Sequence, residues 1–124
     1  MKFKSAAHKE RYFNVLSRMK CNDCYHRSAA YLMALVPMGY DDVFDFQQDM
    51  IKHEGLYAAW QTHSSIRATR LMFNLWNFTN KDYAAENPET TYHHYTVEDI
   101  FYNLEYAPYF YEAVLIRYEW EEWA

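Results

Sequence analysis

Apolar positions recur three and four residues apart along most of this chain, the period of an α-helix with one buried face. The first run predicts a helix from about Ala6 to Met19 with Ser5 as N-cap. It gathers His8, Tyr12, Val15, Leu16 and Met19 on one face and Glu10, Arg11, Asn14 and Arg18 on the other. A second helix is expected to open at Asn22 or Asp23, pass through Ala29, Leu32, Met33 and Leu35, and stop at Pro37 and Gly39. Its faces are nearly all apolar or small, so it is the expected central helix. From Asp41 to Ile51 the pattern predicts a third helix, with Asp42, Asp45 and Asp49 on one solvent-facing side. Gly55 then interrupts the chain, and Leu56 to Trp60 reads as a short helical turn.

The next helix, about Ser64 to Phe78, is apolar over most of its circumference. Arg67, Arg70, Asn74 and Asn77 fall with His63 in a narrow arc. On so apolar a helix these polar groups need partners or a water-filled cleft. Residues 81 to 95, polar and interrupted by Pro88, read as a surface loop of a length that usually binds something or moves. Thr96 followed by Asp99 resembles a capping box opening a helix to about Glu105, and Pro108 suits the first turn of a last helix reaching about Glu122. That helix has two apolar strips, Tyr111, Val114, Leu115 and Tyr118 on one side and Tyr109, Ala113, Ile116 and Trp120 on the other. One strip faces the core; the other wants a partner, a second copy or the long loop.

These elements predict one all-α domain over residues 1–124, a bundle of five to six helices. Composition agrees: 51% of residues are hydrophobic and 20% aromatic, too many for a disordered chain, while two glycines and three prolines are too few for a hairpin-rich sheet. No apolar run approaches the roughly 20 residues needed to span a bilayer, and Met1 to Tyr12 carries no signal-peptide core. The expected location is the cytoplasm, without membrane contact.

Charge is divided along the chain. Residues 1–40 hold seven Lys and Arg against Glu10 and Asp23, a balance of +5, and the other five basic and fifteen acidic residues leave −10, which together give the net −5. Residues 82–124 carry ten acids against Arg117 alone, with twelve aromatics from Tyr83 to Trp123. Spread carboxylates can imitate nucleic-acid phosphates, and Tyr and Trp are favoured interface anchors. Glu112, Tyr118, Glu119, Trp120, Glu122 and Trp123 are therefore the candidate partner-binding residues; the bland alternative is a solvated acidic face over an aromatic core.

Two further constellations carry chemically versatile side chains. Cys21 and Cys24 are spaced as half of a zinc site with His26 nearby. A second half would have to come from His8, His53 or the pair His93 and His94, and small core and helix-start residues are the simpler reading, so neither a metal nor a cofactor is expected. A thioredoxin-like role lacks its strand-helix context. The arc of His63, Arg67, Arg70, Asn74 and Asn77 could recognise a carboxylate, a phosphate or a base edge, against the plainer expectation that the arginines pair with acids of their own chain. A helix-turn-helix built on 41–51 and 64–78 fails because its second helix is too widely apolar to expose a recognition face. No His-Glu-x-x-His, phosphate loop, nucleophile elbow or Walker pattern occurs, which disfavours an enzyme.

Met1-Lys2-Phe3-Lys4-Ser5 with His8 and Arg11-Tyr12-Phe13, Asn22-Asp23 to Tyr25-His26 leading into Ala30-Tyr31-Leu32, and Gly55-Leu56 with Ala59-Trp60-Gln61-Thr62 through Thr69-Arg70-Leu71 and Phe73-Asn74-Leu75-Trp76-Asn77 carry a resemblance over nearly the whole chain. They resemble a family of uncharacterised small proteins encoded by phages and integrative elements of Firmicutes. The resemblance implies a genomic setting and no activity or site. Small proteins that disable host nucleases, of anti-CRISPR or anti-restriction type, abound in such settings. The leading expectation is a non-enzymatic phage or mobile-element protein that acts by binding a protein partner, with inhibition of a host defence nuclease as one form of that binding. The competing one is a nucleic-acid-binding or regulatory module that uses the basic N-terminal helices with Arg67 and Arg70.

Overall fold

Side-chain caps set where three of the four long helices begin, and Pro108 in the first turn marks the fourth. In the computed structural model, which describes residues 1–102 and 105–120, Ser5 Oγ accepts from the His8 amide at 3.0 Å and opens α1, Ala6–Ser17. Asp23 Oδ1 accepts from the His26 amide at 3.0 Å and opens α2, Cys24–Met33. Thr62 and Ser65 exchange side-chain and backbone bonds in a capping box at the head of α4, His63–Asn77. Between α2 and α4 lie a single turn, α3 (Tyr40–Val43), a two-residue hairpin of β1 (Phe44–Asp45) and β2 (Met50–Ile51), and a 3₁₀ turn at His53–Tyr57. After α4 come 3₁₀ turns at Pro88–Thr90 and Tyr92–Tyr95, the short α5 (Val97–Ile100), and α6 (Ala107–Tyr118).

The chain is thus an all-α bundle of six helices among the described residues, with α2 at its centre. Seven of the ten residues of α2, from His26 to Met33 without Arg27, are buried, and α1, α4 and α6 pack around it. Tyr31, Phe73 and Phe110 are fully enclosed where these helices meet. Truncating such a ring to alanine costs about 3–5 kcal/mol, so these positions anchor the bundle.

Arginines from one element close the ends of others. Arg11 Nε donates to the Ala34 carbonyl just past α2 at 2.8 Å, and Arg117 Nε donates to the Leu75 carbonyl in the last turn of α4 at 2.7 Å. Each supplies a donor to a carbonyl that has no partner within its own helix. On α6, Phe110, Ala113 and Ile116 face inward, while Tyr111 and Tyr118 are exposed.

Several expected boundaries are corrected. The helix expected over Asp41–Ile51 is instead α3 and the hairpin, with Phe44 paired to Ile51 and Asp45 to Met50. Asp45 Oδ1 accepts from the amides of Gln47 and Gln48 at 3.0 and 2.9 Å, a local turn that competes with helical bonding. Asp49 then takes φ 58°, the left-handed region. Asp42, Asp45 and Asp49 therefore share no helical face: Asp42 accepts from Trp60 Nε1 at 2.8 Å, Asp45 makes its own turn, and Asp49 reaches His26 at 2.8 Å. The helix expected over 97–105 ends at Ile100, since the Thr96 cap sets a start and nothing local sets a length. The last helix ends at Tyr118, with Glu119 at φ 58° as its C-cap. The expected loop 81–95 holds the two 3₁₀ turns and buries Asp82.

Two glycines are required where the hairpin region meets α4. Gly39 has φ 85°, and a Cβ there would lie 2.2 Å from the Trp60 ring. A Cβ on Gly55 would lie 2.3 Å from the Asp42 carbonyl oxygen, which is backbone and cannot step aside.

Candidate functional site

The polar arc of α4 is occupied by the chain's own groups. Arg70 is buried and makes a two-pronged pair with Asp82, Nε to Oδ1 at 3.1 Å and Nη2 to Oδ2 at 2.7 Å. Tyr95 Oη donates to the same Asp82 Oδ1 at 2.8 Å, and the Asp82 amide donates to Thr91 Oγ1 at 2.8 Å. Burial first, then the bond to Asp82, pushes the Tyr95 hydroxyl far above its usual range, so it is a fixed donor. Arg67 donates from Nε to the Asp99 carbonyl at 2.9 Å and from Nη1 to the His63 carbonyl at 2.9 Å. Asn74 donates to the Thr79 carbonyl at 3.0 Å, and Asn77 Oδ1 accepts from Thr79 Oγ1. The arc thus ties the 79–99 segment to α4. Asp82, its principal acid, carries no sequence signal beyond its charge.

The charge division seen in sequence is also largely internal. Lys4 pairs with Glu105 at 3.6 Å, Arg27 with Glu119 at 3.4 Å, and Glu112 accepts from the Lys2 amide at 3.2 Å. The basic N-terminal part and the acidic C-terminal part meet in one surface.

At the end of α6, aromatic rings stay outside. Tyr118 and Trp120 stack at 5.2 Å between centroids and 26° between planes, exposed by 41% and 52%. Beside them the buried Arg117 guanidinium lies 3.7 Å from the Tyr25 ring and 4.8 Å from that of Tyr118. The bond from Arg117 to Leu75 holds that cation at the edge of the stack. Glu119 is the C-cap of α6 between the two rings in sequence, and Glu112 lies six residues before Tyr118, against the Lys2 amide; Glu122 and Trp123 lie outside the described residues.

A third cluster sits at the head of α2. His26, on the first turn, has a side chain only 6% exposed, held by carboxylates on both nitrogens: Asp23 Oδ1 at 2.7 Å from Nδ1 and Asp49 Oδ1 at 2.8 Å from Nε2. Cys21 Sγ lies 3.1 Å from Nδ1 and 3.7 Å from Asp23 Oδ2. The Trp76 ring meets the imidazole edge-on at 4.8 Å and closes the inner side. Burial opposes a charge on His26, yet the bonds to Asp23 and Asp49 outweigh it and raise its pKa. The Cys21 thiol is pushed up by desolvation and then by the carboxylates of Asp23 and Asp49. The Cys21 and His26 spacing was visible in sequence; Asp49 was missed because the helix expected over 41–51 turned it to solvent.

His8 takes none of these roles. It is fully buried, with Nε2 donating to the Tyr31 carbonyl at 2.9 Å and Nδ1 accepting from the Lys4 amide at 3.0 Å.

Residues 1–122 match the model of a family of unknown function, DUF6075. The chain belongs to that family. No curated protein and no solved structure matches it. In this DUF6075 chain no helix among the described residues is long and apolar enough to cross a membrane. Among the described residues, the features open to chemistry or contact include the aromatic end of α6 and the thiol, imidazole and carboxylate cluster at the head of α2.

Proposed function

We propose that this DUF6075 chain is a non-enzymatic binding protein of a phage or mobile element. It acts in the bacterial cytoplasm on a host defence nuclease and grips it with the aromatic end of α6. The observation that carries the reading is the exposed Tyr118 and Trp120 stack, with the Tyr118 ring 4.8 Å from the Arg117 guanidinium. Rings held rigid before contact lose little conformational freedom on binding, which is why Tyr and Trp dominate binding hot spots. The partner surface is basic, the kind by which a nuclease holds its substrate. The chain's net charge of −5 supports that complementarity. Glu119, with its side chain 68% exposed, stands at the rim of the stack. The nucleic-acid-binding alternative has less support, because Arg67 and Arg70 are already bonded within the chain.

The test is inhibition of purified CRISPR effectors and restriction endonucleases by the full chain. Tyr118→Ala and Trp120→Ala are expected to weaken inhibition by at least about tenfold, each equal to roughly 1.4 kcal/mol of lost binding, with circular dichroism unchanged. Charge reversal at Glu112 and Glu119 serves as the second arm, expected to slow association. Inhibition that survives both ring truncations removes the proposed face. A mobility shift with bare DNA that weakens steeply with salt supports the alternative instead.

A further inference from the structure

Cys21, Asp23 and His26 offer one ligand atom each, a thiol sulfur, a carboxylate oxygen and an imidazole nitrogen, all within 4.8 Å of one another. Sulfur, nitrogen and oxygen donors of these types are what zinc takes, at roughly 2.3, 2.0 and 2.0 Å. Around a tetrahedral ion those lengths put neighbouring donors about 3.3–3.6 Å apart. The Cys21 Sγ to Asp23 Oδ2 distance, 3.7 Å, is close to that spacing already. Sγ lies 3.1 Å from Nδ1 and 3.5 Å from Nε2, so the exposed thiol has to swing off the ring about its Cα–Cβ bond to share an ion with Nδ1. Asp23 can serve two ends at once, because Oδ1 accepts the α2 cap and Oδ2 points to the sulfur.

The second observation is the other face of the ring. A metal-ligating histidine donates its remaining N–H to a carboxylate or carbonyl, which fixes its tautomer and strengthens it as a ligand. Asp49 supplies that acceptor at 2.8 Å from Nε2, delivered by the tip of the hairpin in a left-handed conformation. Trp76 meets the ring edge-on at 4.8 Å, and Nδ1, 2.7 Å from Asp23 Oδ1 and 3.1 Å from Cys21 Sγ, lies between the other two donor residues. The four ligands that sequence spacing sought among distant histidines are not required.

We infer that Cys21, Asp23 and His26 bind one divalent transition-metal ion, zinc in type, with Asp49 orienting His26 and a fourth position open to water or to a donor from a partner. Binding displaces the thiol proton and the Nδ1 proton that His26 shares with Asp23, both released to solvent, and leaves the Nε2 proton on Asp49. The ion then ties the chain before α2 to its first turn and, through Asp49, to the hairpin. This inference is independent of the proposed partner face, which lies at the end of α6.

The experiment is titration of the reduced, chelator-treated full chain with cobalt(II), followed by zinc competition against a chromophoric chelator. The expected result is one cobalt per chain, with the thiolate charge-transfer absorption and intense visible bands of a four-coordinate site. Zinc should bind at about 1 µM or tighter. Cys21→Ser should abolish the charge-transfer absorption and Cys24→Ser should keep it. Asp49→Asn, which suits the left-handed backbone, should weaken zinc by about 10–100-fold. Cys21 is exposed, so its variant should keep the wild-type dichroism spectrum. No charge-transfer band in the wild type, an absorption that follows Cys24 rather than Cys21, or zinc affinity unchanged in Asp49→Asn overturns the assignment. In the first case the cluster is a hydrogen-bonded clamp on His26.

Discussion

Asp82→Ala removes the one carboxylate that neutralises Arg70, 7% exposed, and leaves a guanidinium enclosed by α4 and the 79–99 segment. It also strips Tyr95 of its acceptor. Breaking a buried pair from one side costs about 3–5 kcal/mol, far more than the net worth of the pair, because the surviving charge stays desolvated. At roughly 2.1 cal/mol/K of unfolding entropy per residue, 124 residues convert each kcal/mol into about 4 °C. The expected fall in melting temperature is therefore about 12–20 °C. Thermal and urea unfolding followed by circular dichroism measures it, with Tyr95→Phe as a smaller step of about 1.5–3 kcal/mol for a bond to a charged acceptor. The double variant Arg70→Met with Asp82→Leu removes both charges and should recover the part of the loss that comes from the stranded guanidinium, leaving the cost of the Tyr95 hydroxyl. If Asp82→Ala costs under about 1 kcal/mol, or the double variant loses as much as the sum of its parts, the charge-burial reasoning is wrong.

Burial holds His8 below its ordinary pKa of 6.5, and both ring nitrogens are satisfied in the neutral form. The unfolded chain therefore takes up a proton that the native chain refuses. Stability should be intact above pH 6.5 and fall as pH drops from there towards the folded value, and His8→Gln should flatten the urea midpoint across that window. Gly55→Ala should lower the melting temperature by more than an exposed glycine change would, because its Cβ meets the Asp42 carbonyl at 2.3 Å; an unchanged melt would remove that close approach. Arg117→Ala should cost about 1.5–3 kcal/mol in urea unfolding through the lost bond to Leu75 and the stack on Tyr25. Arg117→Lys, lacking the planar fork, should recover little of it.

Helices α1, α2 and α4 were legible because their causes are local. A cap at Ser5, Asp23 or Thr62 acts within three residues, and a 3.6-residue apolar period marks the buried face without reference to any other segment. The centrality of α2 followed from its lack of a polar side. The hairpin at 44–51 was not legible: its Asp, Phe and Met spacing also satisfies a helix, and only the Asp45 turn and pairing with Ile51 decide against it. Asp82 and Asp49 are separated in sequence from the side chains they hold, by 12 and 23 residues, so no periodicity could assign Asp82 to Arg70 or Asp49 to His26. Charge density in the C-terminal third was visible, but its meeting with Lys2, Lys4 and Arg27 was not, because that depends on α6 packing back across α2 and the N-terminus. Sequence alone determined the helical class and where its long helices begin, since caps and periodicity are nearest-neighbour effects. The tertiary structure decided which charges cancel, which aromatics stay exposed and which donors converge, since each depends on groups that only folding brings within a few ångströms.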